Sequence, residues 1–229
     1  ISRLWVKYGG STGRFLATFA DNARVFRHGT VPRRGPLAVV LNIGTSCDAR
    51  CSFCDWWKEP ERDAPKLTTD EKKKLVRDLG AAGVWFLSFC IPEPLLMDDL
   101  EDLLLESREN GMLVNISTNG SRLEEKSGML AGSGTRIVTV SIDSHDAGIH
   151  DAMRGYPGLF EKVEKGIRKL KRVRRGRRPW IVARHLVNGK TCFDIDKFME
   201  RWKDEVDEIV MKPVRTTPDG LYHVPEDMR

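Results

Sequence analysis

Residues 41–57 read LNIGTSCDARCSFCDWW. The stretch places Cys47, Cys51 and Cys54 in the spacing C-x3-C-x2-C, directly after an apolar run. Thiolates are the soft ligands that iron-sulfur clusters require, and three of them on one short loop can surround a single cluster. Three ligands leave one iron of a four-iron cluster without a protein ligand. The spacing therefore indicates an open iron-sulfur site.

Other uses of the three cysteines remain open at this point. They would also suit a structural zinc site, a disulfide framework or a purely buried position. A structural zinc site is normally closed by a fourth Cys or His. The next candidates along the chain, Cys90 and His145, do not form such a second pair with the loop. The spacing thus favours a cluster over zinc.

At these residues the chain resembles the radical S-adenosylmethionine (SAM) superfamily, whose signature is a C-x3-C-x-aromatic-C loop after the first strand of a partial barrel. Phe53 occupies the aromatic position. The resemblance extends over residues 37–213. It implies a [4Fe-4S] cluster held by the three cysteines, with SAM bound at the open iron beside Phe53.

Composition bounds the class of protein. The chain has 229 residues, of which 40 % are hydrophobic and 31 % charged, with a formal net charge of +5. This is ordinary for a globular domain with one core. No apolar run reaches the length of a membrane span and no secretory leader pattern is visible. Five cysteines, three of them clustered, fit a reducing compartment, so we expect a cytoplasmic protein without a transmembrane segment.

Periodicity predicts the fold. From residue 36 onward, apolar runs of strand length alternate with helical patterns, which is typical of strand-helix-strand units and a parallel sheet. The six apolar runs are 37–43, 84–90, 112–116, 137–142, 180–187 and 208–211. The helical patterns are 69–82, 97–110, 121–130, 159–173 and 192–203. Six units are too few for a closed eight-stranded barrel, so we predict an α/β fold, a partial (β/α)6 TIM-type barrel.

The same patterns divide the chain into three parts. Residues 1–36 are predicted to form an N-terminal helical extension and a linker, because apolar residues at helical spacing precede the sequence VPRRGP. Residues 37–213 form the barrel. Residues 214–229 are expected to be a C-terminal tail that leads into a region outside this chain.

Function in such barrels collects at the carboxyl ends of the strands. After the second strand, Glu93 and Pro94 match the Gly-Gly-Glu-Pro motif typical of the family, whereas Ile91 and Pro92 replace its two glycines. The resemblance implies that Glu93 helps to receive the methionine end of SAM. Because two flexible residues are replaced by rigid ones, the pose of that end is left open.

Polar residues also end the third and fourth strands. Ser117 and Asn119 follow the third strand, and alternation places Ser141 and Asp143 on one face at the end of the fourth. The resemblance implies contacts from these four side chains to the ribose or carboxylate of SAM. The alternative is that they are ordinary polar residues of turns at the barrel rim.

The segment after the fourth strand carries Arg154, which the resemblance implies as a bidentate partner of the SAM carboxylate. Arg184, on the fifth strand, is its rival for that role. His145, His150 and His185 are isolated in the sequence, and an ordinary hydrogen-bonded role at the surface is favoured for each over a catalytic one.

The resemblance implies an enzyme in which a reduced cluster cleaves SAM to methionine and a 5′-deoxyadenosyl radical, which abstracts a hydrogen atom from a substrate. A peptide substrate is expected first and a lipid second. A flavodoxin-like or ferredoxin-like electron donor is implied as partner. No side chain can be identified from the sequence as one that reacts with substrate.

A competing hypothesis comes from the basic segment 165–178, which contains nine Lys or Arg residues. It overlaps an apolar pattern at helical spacing, so most of these charges are expected on the outer face of a helix. A solvated surface is favoured, and an anionic partner is the other interpretation. The chain would then be a non-catalytic iron-sulfur or zinc module that binds nucleic acid.

Overall fold

The computed structural model describes residues 12–44, 46–58, 66–189 and 191–213. The strands are β1 (Ala38–Leu41), β2 (Phe86–Phe89), β3 (Leu113–Thr118), β4 (Ile137–Ser141), β5 (Trp180–Val187) and β6 (Glu208–Pro213). The α-helices are α1 (Thr12–His28), α2 (Thr69–Ala81), α3 (Leu100–Glu109), α4 (Leu123–Gly132), α5 (Ala147–Arg154), α6 (Leu159–Val173) and α7 (Ile195–Trp202). Neighbouring strands all pair in parallel, in the order β1-β2-β3-β4-β5-β6.

Each predicted strand and helix of the barrel is present, and α5 is an addition. This helix is only eight residues long, too short for a clear apolar period. Its ends carry local signals: the Asp146 side chain accepts a hydrogen bond from the N–H of Ile149 at 2.9 Å, and Gly155 ends the helix at φ 57°. The connection between β4 and α6 therefore contains a helix, and the end of this helix contacts the loop that carries the three cysteines.

One face of the sheet is covered by helices. Alternation points one set of strand side chains outward, where Leu87, Ile116 and Val140 pack with helix residues such as Leu103 and Ile167, all fully buried. Burial of apolar area at this interface is the main force that holds the helices on the sheet.

The opposite face of the sheet is layered. Near the amino ends of the strands it is apolar and includes Leu113, Ile137 and Val182. Above this layer Asn115 bridges Ser88 and Thr139, with hydrogen bonds of 2.8 Å on each side. The layer at the carboxyl ends is polar and borders a cavity, so polarity increases from the closed end of the barrel to its mouth.

Helix α1 covers the apolar end of this face. Phe15 packs edge-on against Trp85, with ring centroids 5.0 Å apart. The hydroxyl of Thr18 donates to the carbonyl of Gly83 at 2.8 Å, and Arg14 Nη1 donates to the carbonyl of Gly80 at 2.9 Å. The helix thus closes the end of the barrel opposite the mouth. Among the described helices, none combines the length and the apolar character needed to cross a bilayer.

The basic helix α6 presents its apolar side to the core. Its apolar residues are buried, namely Leu159, Phe160, Val163, Ile167 and Leu170. Several basic residues of the segment are neutralised within the fold: Lys165 pairs with Glu161, and Arg174 pairs with the buried carboxylate of Asp207. The helix therefore serves first as a packing element of the barrel, with a charged outer face.

Candidate active site

A cavity of about 440 Å³ lies at the carboxyl ends of the strands, which is within the size range of small-molecule sites. Nine of the ten residues predicted from the sequence line it: Cys47, Cys51, Phe53, Cys54, Glu93, Ser117, Asn119, Ser141 and Arg154. The tenth, Asp143, is fully buried behind the wall. The structure therefore brings together residues from the first four strand ends and from α5.

The cysteine loop is held in place by the end of α5. The N–H of Arg50 donates to the carbonyl of Arg154 at 2.9 Å, and the N–H of Ser52 donates to the carbonyl of Met153 at 3.0 Å. The next residue, Gly155, lies at φ 57°, and a Cβ added there would overlap the carbonyl oxygen of Arg50. A glycine is thus required where helix and loop meet.

We expect Gly155→Ala to lower the amount of cluster that the chain incorporates, by severalfold, because the added methyl group must displace the loop that carries the cysteines. The matched control is Gly158→Ala. Gly158 also has a positive φ, of 79°, but a Cβ there would meet nothing within 4 Å, so this variant carries the backbone strain alone, about 1 kcal/mol. Iron content per chain after anaerobic reconstitution checks the difference, and equal iron in both variants contradicts it.

The three thiols share a buried environment. Burial raises the pKa of Cys47 to about 12 and also raises the pKa of Cys51 and Cys54. Such thiols hold their protons at neutral pH until a metal displaces them. The loop is therefore suited to binding a cationic group, which compensates the cost of burying thiolates.

Hydrogen-bond donors approach two of the sulfurs. Arg154 Nη1 lies 3.8 Å from Cys51 Sγ, and Asn119 Nδ2 lies 3.9 Å from Cys47 Sγ. Donors placed next to ligand sulfurs are the usual outer shell of iron-sulfur sites. Phe53, buried beneath the guanidinium of Arg154 at 5.3 Å, adds an apolar wall.

The alternatives for the cysteines find less support. All five cysteines of the chain are free, so none forms a disulfide. Within the described residues, no three His, Cys, Asp or Glu side chains converge on one point as a single zinc ion would require. A [4Fe-4S] cluster binds its thiolates through different iron atoms, and the N–H donors beside Cys47 and Cys51 suit ligand sulfurs of such a cluster.

Glu93 is a buried structural carboxylate in this conformation. Its Oε1 accepts from the Thr118 hydroxyl at 2.6 Å and from the N–H of Leu95 at 3.1 Å, and its Oε2 accepts from the N–H of Asn119 at 2.6 Å. Burial raises its pKa to about 7, although these three donors act in the opposite direction. Glu93 thus joins the ends of β2 and β3, and its contact with SAM stays a prediction.

Asn119 connects this network to the cysteine loop. Its Nδ2 donates to Asp48 Oδ1 at 2.8 Å, while its own backbone is held by Glu93. Ser117 Oγ accepts from Arg184 Nη1 at 3.1 Å, and Ser141 lines the cavity. Ser117, Asn119 and Ser141 are therefore placed at the cavity, and their predicted contacts to SAM stay predictions.

Asp143 and Arg154 bind each other. Arg154 Nε lies 2.6 Å from Asp143 Oδ2 and Nη2 donates to Oδ1 at 3.0 Å, with side-chain exposures of 8 % and 0 %. Burial opposes the charge on Arg154, but Asp143 and Cys51 outweigh it and raise its pKa. Both residues had been predicted to contact SAM directly, and that role stays a prediction for each. What the structure adds is that Asp143 orients Arg154 toward Cys51.

Two buried histidines surround this pair. His150 is fully buried, and its Nδ1 accepts the N–H of Asp143 at 3.2 Å. His185 is 1 % exposed and its Nδ1 lies 3.3 Å from the carbonyl oxygen of Ile142. Neither histidine lines the cavity, and both form hydrogen bonds as predicted. The surface position predicted for His150 and His185 is wrong, because the turn after β4 and strand β5 bury both rings.

The pH dependence of stability should reflect His150. Burial lowers its pKa from 6.5 to about 4, despite the opposing charge of Asp143. Between these pH values the unfolded chain binds a proton that the folded chain does not, so stability falls as the pH falls from 6.5 to 4. The expected loss is on the order of 3 kcal/mol.

Urea unfolding at pH 7 and pH 4 checks this expectation. His150→Asn keeps an acceptor for the N–H of Asp143 but has no proton to gain, so its loss on acidification should be smaller than that of the wild type. Part of the loss will remain, because burial also lowers the pKa of His185. An identical pH dependence in variant and wild type contradicts the assignment.

Three residues at or next to the cavity have no role assigned from the sequence. Thr118 supplies a donor to Glu93, and Asp48 fixes the amide of Asn119. Lys212 reaches the cavity from β6. Alternation along β6, where Val210 faces the apolar layer of the interior, places Lys212 on the same side. That pattern is the signal that identifies Lys212 from the sequence.

Known proteins share sequence features with this chain. A family model described as the Radical SAM superfamily matches residues 41–201. The chain belongs to the radical SAM superfamily. Members of this superfamily are enzymes that use a [4Fe-4S] cluster and SAM, so the predicted family, enzyme class and cofactors are confirmed. The hypothesis of a non-catalytic module that binds nucleic acid is not favoured.

Curated radical SAM relatives are moderately similar. The PqqA peptide cyclase of Bradyrhizobium diazoefficiens is 33 % identical over 139 residues, which is 59 % of this chain and 37 % of the relative. The probable GTP 3′,8-cyclase of Sulfolobus acidocaldarius is 30 % identical over 189 residues, 80 % of this chain and 58 % of the relative. The chain thus spans from about a third to three fifths of the length of these relatives.

Solved structures show the same fold. SuiB of Streptococcus suis bound to SAM superposes with a TM-score of 0.71 at 17 % identity, covering 89 % of this chain and 46 % of SuiB. The protein anSMEcpe, with bound AdoMet and the Kp18Cys peptide, has a TM-score of 0.64 at 17 % identity, covering 84 % of this chain and 57 % of its own. The likeness confirms the partial TIM-type barrel predicted from the sequence.

Proposed function

We propose that this radical SAM barrel catalyses hydrogen abstraction from a peptide substrate. The observation that carries the reaction class is the loop of three thiols at the mouth of a six-stranded barrel, with Arg154 and Asn119 donating toward the sulfurs. A reduced [4Fe-4S] cluster held by Cys47, Cys51 and Cys54 would supply the electron that cleaves SAM to methionine and a 5′-deoxyadenosyl radical, and this radical would take a hydrogen atom from the substrate.

The chain itself supplies binding, orientation and a dry site. Cys47, Cys51 and Cys54 are placed to hold the cluster, and the pair of Asp143 and Arg154 supports the loop from behind. Aromatic and apolar groups in the cavity wall, such as Phe53, limit access of water, which suits a reactive radical. We also propose that six residues contact SAM when it is bound, namely Glu93, Ser117, Asn119, Ser141, Asp143 and Arg154.

A peptide is supported as substrate by the similar proteins. One curated relative is named a PqqA peptide cyclase, and SuiB has also been crystallised with its precursor peptide SuiA. We further propose a cytoplasmic enzyme that receives its electron from a flavodoxin-like or ferredoxin-like donor. We also propose three parts of the chain: an N-terminal extension (1–36), the barrel (37–213) and a C-terminal tail (214–229).

Two measurements test the proposal in turn. Anaerobic reconstitution with iron and sulfide, followed by dithionite and SAM, should yield 5′-deoxyadenosine and methionine in equal amounts. An intact cluster that yields neither product overturns the reaction class. Peptides deuterated on carbon should then transfer deuterium into 5′-deoxyadenosine. If no peptide transfers deuterium while a deuterated lipid does, the substrate class is wrong and the reaction class stands.

A further inference from the structure

The wall of the cavity formed by β5 and β6 carries two cationic side chains. Arg184 pairs in register with Val210, so Lys212 lies one inward-facing step closer to the mouth on the neighbouring strand. Both residues line the cavity. Long basic side chains in this arrangement can converge on one ligand group between them.

Among the residues that the structure describes, no carboxylate of the barrel interior compensates these charges. Within the described part of the chain, neither Arg184 nor Lys212 makes an ion pair. Of the described residues that line the cavity, Glu93 is the one with a carboxylate, and its two oxygens accept hydrogen bonds from Leu95, Thr118 and Asn119. The described residues of this wall therefore carry a net positive charge.

Arg184 is also incompletely satisfied. Nη1 donates to Ser117 Oγ at 3.1 Å, but the Nε–H is buried and finds no acceptor among the described residues. A buried donor without an acceptor is costly, and a charged one more so. An oxyanion bound in the cavity would accept hydrogen bonds from the guanidinium of Arg184 and from the ammonium of Lys212.

The SAM carboxylate has another guanidinium available. Arg154 lies 3.8 Å from Cys51 Sγ and is held there by Asp143, whereas Arg184 lies on β5, next to the strand that carries Lys212. The two guanidinium groups thus serve different parts of the cavity. On the proposed function, the site beside the cysteines would receive the cofactor, which leaves the wall of β5 and β6 for what enters with it.

We propose that Arg184 and Lys212 form a subsite for a carboxylate of the substrate. The inference rests on the proposed function and deepens it: the peptide that enters this cavity carries an acidic residue near the carbon that loses hydrogen. Charge-assisted hydrogen bonds bind the carboxylate more tightly than an amide of the same shape, which carries no charge.

Matched peptides test the subsite without turnover. Reconstituted protein saturated with SAM, without reductant and at low salt, is titrated calorimetrically with acetyl-Gly-Glu-Gly-amide and with its glutamine twin. The acidic peptide should bind about tenfold more tightly, as expected for one charge-assisted contact. Arg184→Met and Lys212→Met should each reduce this preference to less than about twofold.

Control variants keep the result interpretable. Lys165→Met removes a charge from an exposed residue of α6 that is paired with Glu161, and it should retain the full preference. Arg184→Lys keeps a cation on the strand and should retain part of it, which separates loss of charge from misfolding. Circular dichroism spectra establish that each variant is folded.

The opposite results are equally specific. Equal binding of the two peptides, or an undiminished preference in Arg184→Met and Lys212→Met, overturns the subsite. A preference that exists without SAM and disappears with it assigns the two cations to the SAM carboxylate instead. Inorganic phosphate that binds more tightly than the acidic peptide through the same two residues assigns the subsite to a phosphate. These titrations measure binding without SAM cleavage, so they test the subsite even if the proposed reaction does not occur.

Discussion

Replacement of Cys51 by serine is expected to abolish both cluster binding and SAM cleavage. Cys51 is the most buried of the three ligand thiols, at 7 % exposure, and the guanidinium of Arg154 approaches its sulfur. Serine is similar in size, but its oxygen is a hard ligand and a poor substitute for thiolate toward iron. Iron should fall from roughly four atoms per chain to well below that number, and 5′-deoxyadenosine should become undetectable.

The matched control for this variant is Cys192→Ser. Cys192 is exposed at the start of the short turn after β5 and does not line the cavity. Its replacement should leave iron content and product formation unchanged. A Cys51→Ser protein with wild-type iron and wild-type 5′-deoxyadenosine would show that the loop is not the cluster site, and the proposed reaction would lose its basis.

The largest expected effect on stability comes from Asp143→Asn. The substitution keeps the shape of the side chain but removes the charge that compensates Arg154, which is 8 % exposed. Removing one partner of a buried ion pair leaves the other charge uncompensated and costs about 3–5 kcal/mol. Urea unfolding of the metal-free chain at pH 7 measures the loss directly.

Asp78→Asn is the control, because it breaks an ion pair on the surface. Lys74 and Asp78 are 2.6 Å apart, with side-chain exposures of 69 % and 60 %, and such pairs contribute at most about 1 kcal/mol. A loss for Asp143→Asn as small as that of Asp78→Asn would contradict the structural role assigned to the pair. A lower cluster content in Asp143→Asn is also expected, since α5 holds the cysteine loop.

The first loop and the barrel were predictable because their signals are local. The three cysteines are close in sequence, and their residue type and spacing suffice to indicate an iron-sulfur ligand set. Strands and helices of the barrel follow from hydrophobic period. Polar residues at the strand ends, such as Ser117 and Ser141, follow from the rule that parallel strands end at one edge of the sheet.

The arrangement behind the cavity was less predictable. Helix α5 is short, and its role depends on a glycine that fits against the carbonyl of Arg50. Asp143 lies on the expected face by alternation, yet the chain turns directly after β4 and buries it against Arg154. Strand periodicity cannot indicate such a turn, because periodicity describes side chains only while the strand continues.

Spacing and period within short windows were enough to indicate the metal chemistry, the number of strand-helix units and the edge of the sheet where chemistry occurs. Tertiary structure alone decided which groups meet. Arg154 and Cys51 are separated by 103 positions in the chain, and Arg184 and Lys212 share a cavity wall because β5 pairs with β6 in one register. Contacts of this kind depend on long-range packing, in which burial and charge compensation select one partner among many, and no local pattern records that selection.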